Sequence, residues 1–258
     1  FSLQIDESTF GLIRIPLWPA RFVLAAGTGL LIIQLIIDFY YDINRAIAGG
    51  ERTTTEDVLN REIADAAKFI DKEKRLLRPA NLAEGSPGKG YGIFFSKDQK
   101  YKVGVINLMG NIFMRKTDDV FKTAKEITKK IKLKSSVDFS VVDFHGEITS
   151  EKMAIGHFFD GISTCVVGTH THVPTADTRI LDKGTAYQTD IGMCGDYNSV
   201  IGMNKENSIK KFFKDKDAVK HYPSRGEGTL SGIIVEANSE TGLAKKISRL
   251  IIGGVLNK

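Results

Sequence analysis

Three histidines stand at the ends of two short apolar runs. Ser140-Val141-Val142-Asp143-Phe144 stops at His145, and Thr164-Cys165-Val166-Val167 leads through Gly168-Thr169 to His170 and His172. Neutral imidazole nitrogen is a good ligand for zinc, iron or manganese, and the His-x-His spacing lets two rings reach one ion or two adjacent ions. The competing reading of His170 and His172 is a turn capped by hydrogen bonds. The Gly-Thr turn, the apolar run before it and the third histidine at a strand end favour a divalent-metal site. Two carboxylates accompany the histidines. Glu147 reads either as an outer partner that orients a ring or as a salt-bridging loop residue. Asp190 reads as a further group to close the site or as a turn cap.

The elements that must position these residues follow from periodicity. Between the two runs, Ser150 to Gly161 has helical spacing, with Met153, Ile155, Phe158 and Phe159 as its apolar positions. Strand, helix and strand at this spacing predict a parallel βαβ unit, which is right-handed in nearly all proteins. Parallel strands place their carboxyl ends on one edge of the sheet, where ligands bind. His145, His170 and His172 are therefore expected to converge there and to hold one ion. Further along, Lys102 to Leu108, Thr185 to Asp190, Thr229 to Glu236 and Leu243 to Ile252 read as strands, the last two as an antiparallel pair. Glu56 to Leu76, Thr117 to Lys130 and Asn204 to Phe213 read as helices. Gly85-Ser86-Pro87-Gly88-Lys89-Gly90 lacks the spacing of a phosphate loop and reads as a turn. His157 and His221 read as structural.

At this point a family is recognisable. Val142-Asp143-Phe144-His145-Gly146-Glu147, Thr149-Ser150-Glu151-Lys152 and Val167-Gly168-Thr169-His170-Thr171-His172-Val173 resemble the YmdB-like branch of the calcineurin-type metallophosphoesterases. The resemblance runs on through Thr189-Asp190-Ile191-Gly192-Met193 and back to Leu77-Arg78-Pro79-Ala80-Asn81, covering about residues 70 to 252. It implies an α/β sandwich and a metal-dependent phosphodiesterase acting on cyclic nucleotides, 2',3'-cyclic ones included. It also implies iron, manganese or zinc, normally two ions, with His145, His170 and His172 among the ligands. The family's other ligands come from a Gly-Asp-x-x-Gly turn, an Asn-Gly-Glu-Asn segment and a Gly-Asn-His turn that also supplies a general acid. Residues 1 to 80 contain none of these, and no histidine precedes His145. The resemblance thus identifies no catalytic acid and implies an amino-terminally incomplete fold with at most one ion. Slow or absent turnover is the corresponding expectation, and a non-catalytic module is the alternative.

Composition bounds the rest. With 258 residues, 42% apolar and 26% charged, the chain has the make-up of a globular protein. Its net charge of +5 is scattered, which suits an anionic phosphodiester or nucleotide and gives no nucleic-acid groove. Cys165 and Cys194 form no C-x-x-C pair and read as small buried residues in a reducing, cytoplasmic compartment. Residues 1–50 differ in kind from residues 51–258. Phe22 to Ile37 is free of charge, and the apolar stretch extends back towards Ile15, long enough to cross a bilayer at about 20 residues. Trp18 and Tyr40-Tyr41 flank it as interfacial aromatics would. Residues 15–42 therefore read as a membrane anchor, with a buried core helix as the alternative, and resemble the last helix of small permease subunits of tripartite periplasmic transporters. The chain as a whole reads as a join between such a tail and a phosphoesterase body. Nothing in the sequence sets an oligomeric state.

Overall fold

The structure, a computed structural model, describes the backbone of residues 8–10 and 13–16 together with residues 67–257. The chain divides into two compact units, Phe1–Ala64 and Asp65–Lys258. In the first, β1 (Ser8–Phe10) and β2 (Ile13–Pro16) form an antiparallel pair. Ile15 and Pro16, where the expected membrane helix began, lie in that strand; residues 17–42 fall outside the described residues, as does the domain boundary expected near residue 50. No helix among the described residues is long and apolar enough to cross a membrane.

The second unit is built on a six-stranded sheet. Its strands are β3 (Tyr91–Phe95), β4 (Lys102–Met109), β5 (Phe139–His145), β6 (Cys165–Thr169), β7 (Arg179–Ile180) and β8 (Ala186–Gln188), in the order β3-β4-β5-β6-β8-β7. Strands β4, β5, β6 and β8 are mutually parallel, and the edge strands β3 and β7 are antiparallel to their neighbours. Alternation along each strand sends side chains to opposite faces. On one face Ile106, Leu108, Val142, Phe144 and Val166 pack against α1 (Val120–Thr128) and α2 (Thr149–Phe158), through Val120, Ala124, Ile127 and Ile155. Each such side chain contributes roughly 1.5–3 kcal/mol when fully buried. On the other face Cys165, Val167 and Ala186 pack against Ile233, Val235, Ala244 and Ile247. These last come from β10 (Gly228–Ala237) and β11 (Ala244–Ile252), which with β9 (Gly195–Asp196) form a second, antiparallel sheet. The fold is α/β: helices on one face of the main sheet, a second sheet on the other.

The expected βαβ unit is β5-α2-β6, and the late antiparallel pair is β10-β11, as expected. Other boundaries moved for local reasons. α1 starts at Val120, because the Asp119 carboxylate accepts the Lys122 N–H at 2.8 Å and caps the helix there. α3 (Lys205–Phe212) begins after Asn204 for the same reason. Among the described residues, the helix expected to reach Leu76 is helical over 67–72 and stops there, Leu77 instead bridging to Lys89. The glycine-rich stretch is a turn, with Gly85 and Gly88 at φ 82° and 80°. Cys165 is buried as expected, but Cys194 is exposed.

Candidate functional site: a histidine pair at the sheet edge

Register brings the histidines together. Asn107 pairs with Asp143, Met109 with His145, and His145 with Thr169, so the carboxyl ends of β4, β5 and β6 are level. Asp143 and His145 are two residues apart on one strand and point to the same face, opposite the helices. Beyond β6 the chain turns sharply, with His170 at φ 115° and His172 at φ 67°, and this turn folds the His170 ring back over His145.

The two rings meet edge to face, centroids 4.9 Å apart, with His170 Nδ1 3.1 Å from His145 Nε2. Their outer nitrogens are both engaged. The Thr169 hydroxyl donates to Asp143 Oδ1 at 2.9 Å, and a carboxylate can only accept. The hydroxyl oxygen is then free to accept from His145 Nδ1, 3.1 Å away. Asp143 is itself held by the Asn107 Nδ2 donor at 2.8 Å. On the other side His170 Nε2 lies 2.9 Å from Glu147 Oε2, an ion pair when the ring carries both protons. Glu147 thus faces the His170 ring from a half-exposed position, a contact common to both of its readings. Burial, and then the neighbouring His170 charge, push the His145 pKa below the ordinary imidazole value, with Asp143 opposing. The shift favours the neutral ring, and donation from Nδ1 to Thr169 leaves the lone pair on Nε2.

Two nitrogens bound to one ion at about 2.1 Å in tetrahedral geometry lie about 3.4 Å apart. His145 Nε2 and His170 Nδ1, at 3.1 Å, fit as two donors to a divalent ion, and each ring has the outer partner that such a ligand requires. The third histidine departs from expectation. His172 turns its Nδ1 to the carbonyl of Ile201 at 2.9 Å, because its own left-handed backbone points the ring towards that loop. Among the described residues, no group of three or more His, Cys, Asp or Glu side chains could hold a metal ion. Asp190 does not close the site either. It is buried behind the turn, paired with Lys152 at 2.8 Å, and its Oδ1 accepts the Gly192 N–H at 2.9 Å. His157 and His221 are exposed and take no part in these contacts.

The partners Asp143, Thr169 and Asn107 were not singled out from sequence, although the Asp-x-His spacing on one strand face was the available signal. Away from the histidines, an apolar cleft of about 610 Å³ opens between the sheets, lined by Phe139, Val141, Val167, Ile233 and Val235 among others. Among the described residues its one titratable lining residue is Cys165, whose thiol burial pushes up to about 12.

Comparison with known proteins bears on what this edge does. The family model described as YmdB-like protein matches residues 53–250. The chain is 45% identical over 192 residues to a 2',3'-cyclic-nucleotide 2'-phosphodiesterase of Bacillus subtilis, a match covering 74% of this chain and 70% of that protein. A novel phosphatase of Mycoplasma pneumoniae has a solved structure that superposes with a TM-score of 0.64 at 39% identity, over 74% of this chain and 67% of that one. A hypothetical protein of Thermus thermophilus does so with a TM-score of 0.64 at 33% identity, over 72% and 71%. Of two further curated Mycoplasma relatives the match spans 63% of the length. The transporter resemblance of residues 15–42 is not shown by these comparisons.

Proposed function

We propose, on the premise that the chain belongs to the YmdB-like protein family, that it is a metal-dependent phosphodiesterase for phosphodiesters of the 2',3'-cyclic nucleotide kind. The observation that carries this reading is the His145–His170 contact: two imidazoles present their inner nitrogens to each other at 3.1 Å while outer partners hold both rings. A bound divalent ion there would neutralise phosphate charge and lower the pKa of an attacking water. The protein's own contribution is orientation. Asp143 and Thr169 set the tautomer of His145, and Glu147 sets that of His170. His172 is the remaining candidate donor, through Nε2, once its link to Ile201 rearranges. Among the described residues two donors converge, and a manganese, iron or zinc ion there would be held weakly.

The test is turnover of bis-p-nitrophenyl phosphate and of 2',3'-cyclic nucleotides by the full chain with manganese, beside the His170→Ala variant. Slow, manganese-dependent hydrolysis that drops to background in the variant is expected. Hydrolysis that ignores manganese, or that survives in His170→Ala, would sink the assignment.

A further inference from the structure

The first turn of α2 buries two opposite charges side by side, Glu151 at 6% and Lys152 at 1% exposure, and the reading above uses neither. The Glu151 carboxylate accepts the Asn111 N–H at 2.9 Å and so ties down the loop after β4. Lys152 reaches the opposite way. Its ammonium donates to Asp190 Oδ2 at 2.8 Å, and Asp190 is fully buried. The same oxygen accepts the Thr171 backbone N–H at 3.0 Å, and Oδ1 accepts that of Gly192 at 2.9 Å. Thr171 lies between His170 and His172, both at positive φ, where a non-glycine residue persists only if its surroundings impose the conformation. The stem of Lys152 runs against the end of β6, where a Cβ at Gly168 would meet its Cδ at 3.1 Å. A buried ion pair is weak evidence for stability, since well-packed apolar residues often do as well. Its position, one peptide from both histidines, calls for another account.

We propose that Lys152 and Asp190 are positioning residues for the site: through the Thr171 N–H they hold the His170-Thr171-His172 backbone on its left-handed course, and thereby the His170 ring against His145. The inference rests on reading His145 and His170 as a divalent-ion pair. The ammonium orients and desolvates the carboxylate, and the carboxylate fixes the peptide. Both act through the backbone of the turn.

Removing one partner would leave a buried charge unpaired and threaten folding. Two double variants of the full chain are therefore compared. Lys152→Met with Asp190→Asn removes both charges and keeps an oxygen for the Thr171 N–H. Lys152→Met with Asp190→Leu removes that acceptor as well. Nuclear Overhauser contacts between the two histidine rings are read in metal-free protein, and Co²⁺ is then titrated, with His170→Ala as control. The asparagine pair, which keeps an acceptor for Thr171 but not the ammonium that orients it, is expected to keep the ring contact and to bind Co²⁺ more weakly than the unaltered chain but more tightly than the leucine pair; affinity equal to that of the unaltered chain would remove Lys152 from the proposal. The leucine pair, folded by circular dichroism, is expected to lose the contact and to bind Co²⁺ roughly 10–100-fold more weakly. A leucine pair with ring contact and affinity intact overturns the proposal. If that pair does not fold, hydrogen exchange at Thr171 in the unaltered chain decides: protection is expected, and exchange at the rate of an open loop overturns it. Failure of the unaltered chain to bind Co²⁺ would count against the metal reading, while the ring contact still decides the positioning.

Discussion

At the scale of single residues, the site is a chain of hydrogen bonds. Asn107 donates to Asp143, Asp143 accepts a hydrogen bond from the Thr169 hydroxyl, and the Thr169 oxygen accepts one from His145. Thr169→Val keeps the shape of the side chain and removes the hydroxyl from the middle. Outer partners of metal-bound histidines are worth roughly 10–100-fold in affinity, and manganese binding by titration calorimetry should weaken by that order. The cost to folding should stay near 1–3 kcal/mol, the penalty of buried polar groups left without partners. Unchanged manganese affinity would show that Thr169 does not set the ring of His145. Glu147 differs in being half exposed, so its hold on His170 is weaker and more sensitive to salt.

At the scale of elements, α2 does two jobs, and they conflict with its own helix preferences. Its N-cap, Ile148, makes no side-chain cap bond, and its first turn spends Glu151 and Lys152 on loops at either side of the sheet edge. Its last turn carries Gly156, which on helix propensity alone Ala should improve by up to about 1 kcal/mol. Here the glycine faces the ring of Tyr187, which is 1% exposed, and an added Cβ would run into that ring. Gly156→Ala should therefore be destabilising, by roughly 1–3 kcal/mol as for other overpacked cores. A lowered urea midpoint checks it; a raised one would mean that Tyr187 has room to move. Displacing Tyr187 would also disturb β8, which leads to Asp190.

At the scale of the whole molecule, the half-buried His145 couples folding to pH. His145 has its pKa lowered, first by burial and then by His170, while in the unfolded chain it titrates near the ordinary value of about 6.5. Between those two values the unfolded state binds the extra proton, so stability falls as pH drops through this window and is recovered above it. Metal-free protein should accordingly lose urea resistance between pH 7.5 and pH 5.5. His145→Gln, which cannot take that proton, should lose less. Equal losses in the two chains would place the sensitivity elsewhere.

Read alone, the residues from 139 to 172 determined the βαβ unit, the edge on which its histidines lie and the family, because strand alternation and crossover length are local properties of the chain. The β10-β11 pair was legible for the same reason, whereas the expectation that both cysteines are buried held for Cys165 and failed for Cys194. Tertiary structure alone decided which histidines meet. His170 and His172 differ by two residues, yet their positive φ values send one ring to His145 and the other to the carbonyl of Ile201, 29 residues away. It also decided the roles of the carboxylates. Asp190 ends a strand as a metal donor would, but Lys152, 38 residues earlier, lies buried beneath it and takes its charge. A lysine in the first turn of a helix reads as solvated from sequence, because burial depends on what the sheet brings alongside rather than on the neighbours in the chain.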